Sequence, residues 1–212
     1  MASRAARTGS RSGTRGGSLD PRVQTAFDAA GQLFTRLARQ PDTRRQVVQI
    51  AEAIIGALRG GGRVFFFGNG GSASQSQHLA AELVGRFHHD RRPLAAIALT
   101  ENTASLTAIS NDYSYEVVFA RQIEGLGRKG DVAIGLSTSG RSANIVAALA
   151  AARKMGMTTV GLTAGEGGIM RSVCDICVRV PAESTPRIQE AHLLIGHTVC
   201  ELVDHAFLSR RA

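Results

Sequence analysis

Tryptophan is absent from this 212-residue chain, tyrosine occurs twice and cysteine three times. So few aromatic rings leave few platforms for stacking bases, and a formal net charge of +8 does not by itself make nucleic acid a favoured partner. Half of that excess lies in residues 1–18, which carry Arg4, Arg7, Arg11 and Arg15 and no acid. This Gly/Ser/Arg stretch has little to bury and is expected to be a disordered basic tail. It lacks the apolar face of a transit peptide and the apolar segment of a secretory signal. Long apolar runs are missing as well: none approaches the 18 or more residues that span a bilayer, so no membrane partner is expected. Three cysteines are too few and too unevenly placed for a disulfide scaffold, which points to a reducing, cytoplasmic compartment. Cys174 and Cys177 do read C-x-x-C, but they fall in VCDICVRV, whose alternation predicts a strand and buried free thiols. No second C-x-x-C completes a zinc site.

A hydrophobic content of 43% is enough for one sizeable core, so residues 19–212 are expected to form a single domain. Two helices come first. Asp20 to Arg39 carries Val23, Phe27, Ala30, Phe34 and Leu37 at helical spacing. After the break at Pro41-Asp42, Thr43 opens a second helix with a broad stripe of Val47, Val48, Ile50, Ala51, Ile54, Ile55 and Leu58. A stripe that wide suggests a subunit interface. Beyond it, apolar runs at Val64–Phe67, Pro93–Leu99, Val132–Leu136, Thr158–Leu162 and Asp175–Val180 read as strands separated by helical segments, the last helix running from Arg187 to Leu208. Such alternation predicts an α/β fold: a five-stranded parallel sheet with helices on both faces, preceded by two helices. In such sheets ligands bind at the carboxyl ends of the strands, and the polar and glycine-rich loops all fall there.

The stretch VFFFGNGGSASQSQHLAAELVGR is the first candidate site. Gly68, Asn69, Gly70, Gly71 and Ser72 permit a sharp turn with exposed N–H groups, and Ser72 or Ser74 is expected to cap the following helix. His78 and Glu82 then share a helix face at i, i+4, an acid/base pair next to an anion-sized turn. A solvated helix pair would have the same spacing, and Gly68, Gly70 and Ala73 also fit a G-x-G-x-x-A dinucleotide fingerprint, so a second site has to decide.

That second site is DVAIGLSTSGRSAN. A strand delivers Ser137, Thr138 and Ser139, Gly140 allows the turn, and Ser142 sits at the helix entry, so four hydroxyls and several N–H groups can converge on one dianion. No lysine follows at P-loop spacing, which favours a small phosphate ester over a nucleoside triphosphate. Ordinary helix capping explains one or two of these hydroxyls, hardly four. On the last helix Gln189 and His197 lie within about 80° of each other at roughly 100° per residue, whereas His192 is about 140° from His197 and belongs elsewhere.

Taken together, GNGGSASQSQHLAAELVGRF, ISNDY, STSGRS and TPRIQEAHLLIGHTVCELVD resemble the sugar isomerase (SIS) domain family, whose sheet is flavodoxin-like. The match extends over about residues 20–208. Within that family the joint presence of His78/Glu82 and Gln189/His197 resembles the branch that interconverts sedoheptulose 7-phosphate and D-glycero-D-manno-heptose 7-phosphate, the first step of heptose nucleotide biosynthesis. The resemblance implies that Asn69, Gly70 and Gly71 line the substrate chain, with Asn111 and Asp112 near its reacting end. It implies that Ser137, Thr138, Ser139 and Ser142 hold the phosphate, and that Glu82 and Gln189 contact substrate. His78, Glu82, Gln189 and His197 match the positions that bind one zinc per site in members that carry it, and Glu82 and His197 match the acid/base residues. It also implies a homotetramer with sites between subunits and the two leading helices in the oligomer core. Aldose–ketose isomerisation needs a base, a second proton carrier and stabilisation of an enediolate, and the residues named can supply each.

Two rival functions remain at this point. A non-catalytic relative of the same fold binds a replication initiator, a group that lacks the equivalents of Glu82 and His197. An NAD enzyme would need an acidic residue about 20 positions beyond the fingerprint, and Glu101 comes 33 after Gly68.

Overall fold

The computed structural model describes residues 19–208; the basic tail read over 1–18 lies outside the described residues. Two long helices, α1 (Asp20–Arg39) and α2 (Pro41–Arg59), precede β1 (Val64–Gly68) and α3 (Gly71–Val84). Then follow β2 (Ala96–Ala98), α4 (Thr103–Asp112), a single 3₁₀ turn at Tyr115–Val117, α5 (Val118–Leu126), β3 (Val132–Leu136) and α6 (Ala143–Lys154). The chain closes with β4 (Thr158–Ala164), α7 (Met170–Val173), β5 (Ile176–Val180) and α8 (Thr185–Ala206). All five strands are parallel, in the order β2-β1-β3-β4-β5.

The apolar strands are continuous because they bury both faces. Val64 and Phe66 of β1 join the core shared with α1, α2, α3 and α8, while Phe65 and Phe67 point the other way, into the core shared with α5 and α6. Alternation of this kind follows from the two-residue period of a strand. Burying Phe65 and Phe67 completely stabilises β1 by about 1.5–3 kcal/mol each.

Several boundaries differ from the sequence expectation. Pro41 starts α2 instead of breaking the chain before Thr43, and α8 begins at Thr185, two residues ahead of Arg187, with Pro186 in its first turn. Proline lacks an N–H that a first turn would leave unpaired anyway, so it opens helices here. Strand β2 keeps only three residues of Pro93–Leu99 because the Leu94 N–H is taken by the Leu83 carbonyl at the end of α3. Conversely β4 runs on to Ala164. Helix α3 is not capped by Ser72 or Ser74: its N-cap is Gly70, at φ 55°, and Ser72 is buried. The expected stripe on α1 is covered only in part within the chain. Leu37 is buried, but Val23 and Phe27 are exposed, as is Val48 on α2.

Candidate active site at the carboxyl edge of the sheet

The strand order reverses at β1, so the chain leaves β1 and β3 to opposite faces of the sheet and opens a crevice between their carboxyl ends. The Gly68–Gly71 turn and the Ser137–Ser142 turn are therefore neighbours, with Gly68 paired to Leu136 in the sheet register. Two asparagines bridge them. Asn69 Nδ2 donates to Asn144 Oδ1 at 2.9 Å, Asn144 Nδ2 donates back to Asn69 Oδ1 at 2.9 Å, and the Tyr115 hydroxyl donates to the same Asn69 oxygen at 3.0 Å. Asn144 is buried near the start of α6.

In the turn after β3, Ser137 Oγ lies 2.9 Å from Ser142 Oγ and 3.5 Å from Ser139 Oγ, and the Arg141 N–H donates to Ser139 Oγ at 3.2 Å. Ser142 is the N-cap residue of α6, yet its side chain accepts no capping bond. Its hydroxyl faces the other serines instead, leaving the helix N-terminus with partial positive charge and free N–H groups for an anion. Gly140, at φ 63°, cannot be replaced without displacing the next loop: a Cβ there would stand 2.2 Å from the Gly167 carbonyl oxygen. Thr138 is half-buried in the same turn.

Helices α3 and α8 run side by side in the same direction, in contact through glycines. A Cβ on Gly71 would meet the Gln189 amide at 2.5 Å, and one on Gly196 would meet Leu79 at 2.6 Å. This close approach brings His78, Glu82 and His197 together. His78 Nε2 is 2.7 Å from His197 Nε2 and 3.3 Å from Glu82 Oε1, and one ligand atom from each of the three lies within 4.8 Å of the others. Partial burial, and next the His78 ring, push the His197 imidazole below its ordinary pKa, with Glu82 pulling the other way. His197 is thereby biased towards the neutral form, which can accept a proton or offer a lone pair to a metal. Two imidazoles and a carboxylate are the donor types that zinc takes, so the set fits such an ion.

The remaining candidates fall into separate places. Gln189 sits with its amide against Gly71, about two helical turns before His197, and Gln75 Nε2 donates to its backbone carbonyl at 2.6 Å. Asn111 and Asp112 are exposed in the last turn of α4, where Asn111 Nδ2 donates to Asp112 Oδ1 at 2.9 Å. His192 is fully buried with Nε2 3.1 Å from the Thr163 carbonyl oxygen, and burial pushes its pKa down to about 4.

Sequence reading missed the residues that hold these groups. Arg91, with its side chain fully buried, donates to Asp204 Oδ1 at 2.8 Å and to the carbonyls of Glu82 and Leu83 at 2.9 Å, so it closes the C-terminal end of α3 and ties it to α8. His89 adds a 2.8 Å contact to the same carboxylate. Burial alone would raise the Asp204 pKa, but hydrogen bonds from His89 and Arg91 hold it below the ordinary value. Asn144 was visible in STSGRSAN as a polar residue inside an apolar helix start; Arg91 and Asp204 left no local signal.

Fold and site together define an α/β protein whose sheet-edge crevice sets a hydroxyl-lined helix N-terminus beside a histidine–carboxylate group. The family profile described as SIS domain matches residues 27–164. A phosphoheptose isomerase from Rhodospirillum rubrum is 46% identical over 191 residues, covering 90% of this chain and all of that one. Among solved structures, phosphoheptose isomerase GmhA from Neisseria gonorrhoeae superposes with a TM-score of 0.83 at 39% identity, over 89% of this chain and 100% of the other. A phosphoheptose isomerase from Francisella tularensis gives 0.84 at 34% identity, over 89% and 99%. The chain belongs to the phosphoheptose isomerase family of SIS-domain proteins.

Proposed function

We propose that the protein isomerises sedoheptulose 7-phosphate to D-glycero-D-manno-heptose 7-phosphate, an aldose–ketose interconversion through an enediol(ate) that begins heptose nucleotide synthesis. The observation that carries this reading is the convergence of His78, Glu82 and His197, in a fold whose crevice also presents a hydroxyl-lined helix N-terminus. Ser137, Thr138, Ser139 and Ser142, with the α6 N-terminus, hold the phosphate and so fix one end of the sugar. Asn69, Gly70 and Gly71 line the carbon chain, Gln189 contacts it beside Gly71, and Asn111 and Asp112 act near the reacting end. Glu82 removes the proton from the carbon next to the carbonyl and returns it to the neighbouring carbon. His197, biased towards its neutral form, carries the proton between the two oxygens. His78, Glu82, Gln189 and His197 would hold one zinc ion, which as a Lewis acid supplies charge stabilisation for the developing enediolate. A binding-only role with a replication initiator gives Glu82 and His197 no reason to converge.

The exposed Val23, Phe27 and Val48 support a homotetramer with the first two helices at its centre and sites between subunits, measurable by light scattering. The free cysteines suit a cytoplasmic location. The deciding experiment is turnover of sedoheptulose 7-phosphate by purified protein, before and after chelation and with zinc restored. Activity that is lost and regained supports both the reaction and the metal; no turnover under any condition overturns the reading.

A further inference from the structure

The C-x-x-C pair has no part in the isomerase site, and the structure does not bury it as a strand pair should. Cys174 ends α7 as its C-cap, only Cys177 lies in β5, and both are half-buried rather than enclosed. Gly161 of β4 stands opposite Cys177 in the sheet, and a Cβ there would stand 2.8 Å from Cys174 Sγ and 3.6 Å from Cys177 Sγ. Both sulfurs thus occupy the space that a side chain at Gly161 would fill, on one side of the sheet. The segment between them is anchored by Asp175, whose carboxylate accepts from the Thr159 N–H and hydroxyl, each at 2.8 Å.

The surroundings treat the two thiols differently. The Cys174 thiol is held above its ordinary pKa, first by its hydrogen bond to Cys177 and next by burial. Cys177 is pushed below its ordinary value, first by that same bond, with burial opposing and Arg179 and Arg171 adding to the fall. Cys200 is buried and raised to about 12. Partly exposed thiols in electropositive surroundings are the reactive ones, and enclosed thiols are inert.

We propose that Cys174 and Cys177 form a redox-active dithiol that hydrogen peroxide converts to an intramolecular disulfide, with Cys177 as the attacking sulfur and Cys174 as the resolving one. In the first step Cys177 thiolate attacks one peroxide oxygen and the O–O bond breaks, giving a sulfenic acid and, after protonation of the leaving oxygen, water. In the second step Cys174 sulfur attacks the Cys177 sulfur, the S–O bond breaks, and the hydroxyl leaves with the Cys174 proton as a second water. Two thiols lose two electrons and one peroxide gains them.

The test uses the full-length chain, reduced and then exposed to hydrogen peroxide. Titratable thiols in denaturant should fall from three to one, and the intact mass should drop by two hydrogens and recover with dithiothreitol. Cys174→Ser should stop at a Cys177 sulfenic acid that dimedone traps, while Cys177→Ser should give no adduct at Cys174. Reaction of native protein with a thiol reagent should modify Cys177 about tenfold faster than Cys200. Unchanged mass and thiol count, covalent dimers on a non-reducing gel, or equal trapping at Cys174 in the Cys177→Ser variant would each overturn the proposal. None of these readouts depends on isomerase turnover.

Discussion

The turn after β3 draws Ser137, Ser139 and Ser142 from six consecutive residues, whereas His78 and His197 meet across 119 positions of sequence. The turn is held by its own backbone, by Gly140 and by the α6 N-terminus. The histidine–carboxylate group exists only because α3 and α8 dock closely, through Gly71 and Gly196, and because Arg91 and Asp204 hold their far ends together. One half of the site is local and neutral, the other is assembled and titratable. Damage to docking should therefore silence the second half and spare the first.

The largest effect is expected at Glu82. Glu82→Gln keeps the shape but removes the carboxylate proposed as the base, so kcat should fall about 10²–10⁴-fold with little change in binding of a non-reacting sugar phosphate. A kcat within a factor of two of the parent would refute the base assignment.

Next comes the docking itself. Arg91→Leu leaves Asp204 buried with only His89 as partner, and breaking a buried pair costs about 3–5 kcal/mol, the lower end applying here because one partner survives. Because Asp204 is held below its ordinary pKa, it stabilises the fold above the carboxylate range and loses that contribution as pH falls through the folded value. Arg91→Leu should raise that folded value towards the unfolded one, so the acid side of a melting-temperature profile should become shallower, with less stability left to lose between neutral and acid pH. Identical acid limbs for variant and parent would show that Arg91 does not hold the carboxylate.

This contrast also explains what could be read in advance. The β1 run, the glycine turn and STSGRS were legible because each is a local device: apolar length, φ > 0 at Gly70 and Gly140, and hydroxyls at a helix entry. His78 and Glu82 were legible as an i, i+4 pair, and the pitch of α8 correctly separated His192 from His197. What was not legible depends on partners distant in sequence. Ser72 reads as a cap but is buried because Gly68, lacking a Cβ, lets it pack close. Leu94 reads as strand, but its N–H is claimed by α3. Arg91 and Asp204 are 113 positions apart and meet only where the two helices dock.

A smaller effect should follow removal of one hydroxyl from the local half. Ser142→Ala deletes the hydroxyl proposed to donate to the substrate phosphate, a bond of about 1.5–3 kcal/mol, so KM should rise about tenfold or more while kcat at saturation and melting temperature stay near the parent's. A matching loss in kcat would mean that the turn positions the reacting carbons as well as the phosphate.

The smallest expected change lies where the two halves touch. Asn69 Oδ1 accepts from both Asn144 and the half-exposed Tyr115 hydroxyl, so Tyr115→Phe removes one of two donors and leaves the amide pair intact. A neutral hydrogen bond of this kind is worth about 1 kcal/mol, or roughly fivefold in kcat/KM. Asn144→Ala removes both amide contacts at once, leaves Asn69 free to turn, and should cost more than Tyr115→Phe. If the bridge aligns the β1 turn with the phosphate turn, the double variant should lose little beyond Asn144→Ala alone, because Tyr115 would have no fixed acceptor left. Additive losses would mean that the hydroxyl and the amide pair act on substrate separately, and that the two turns are held in register by the sheet alone.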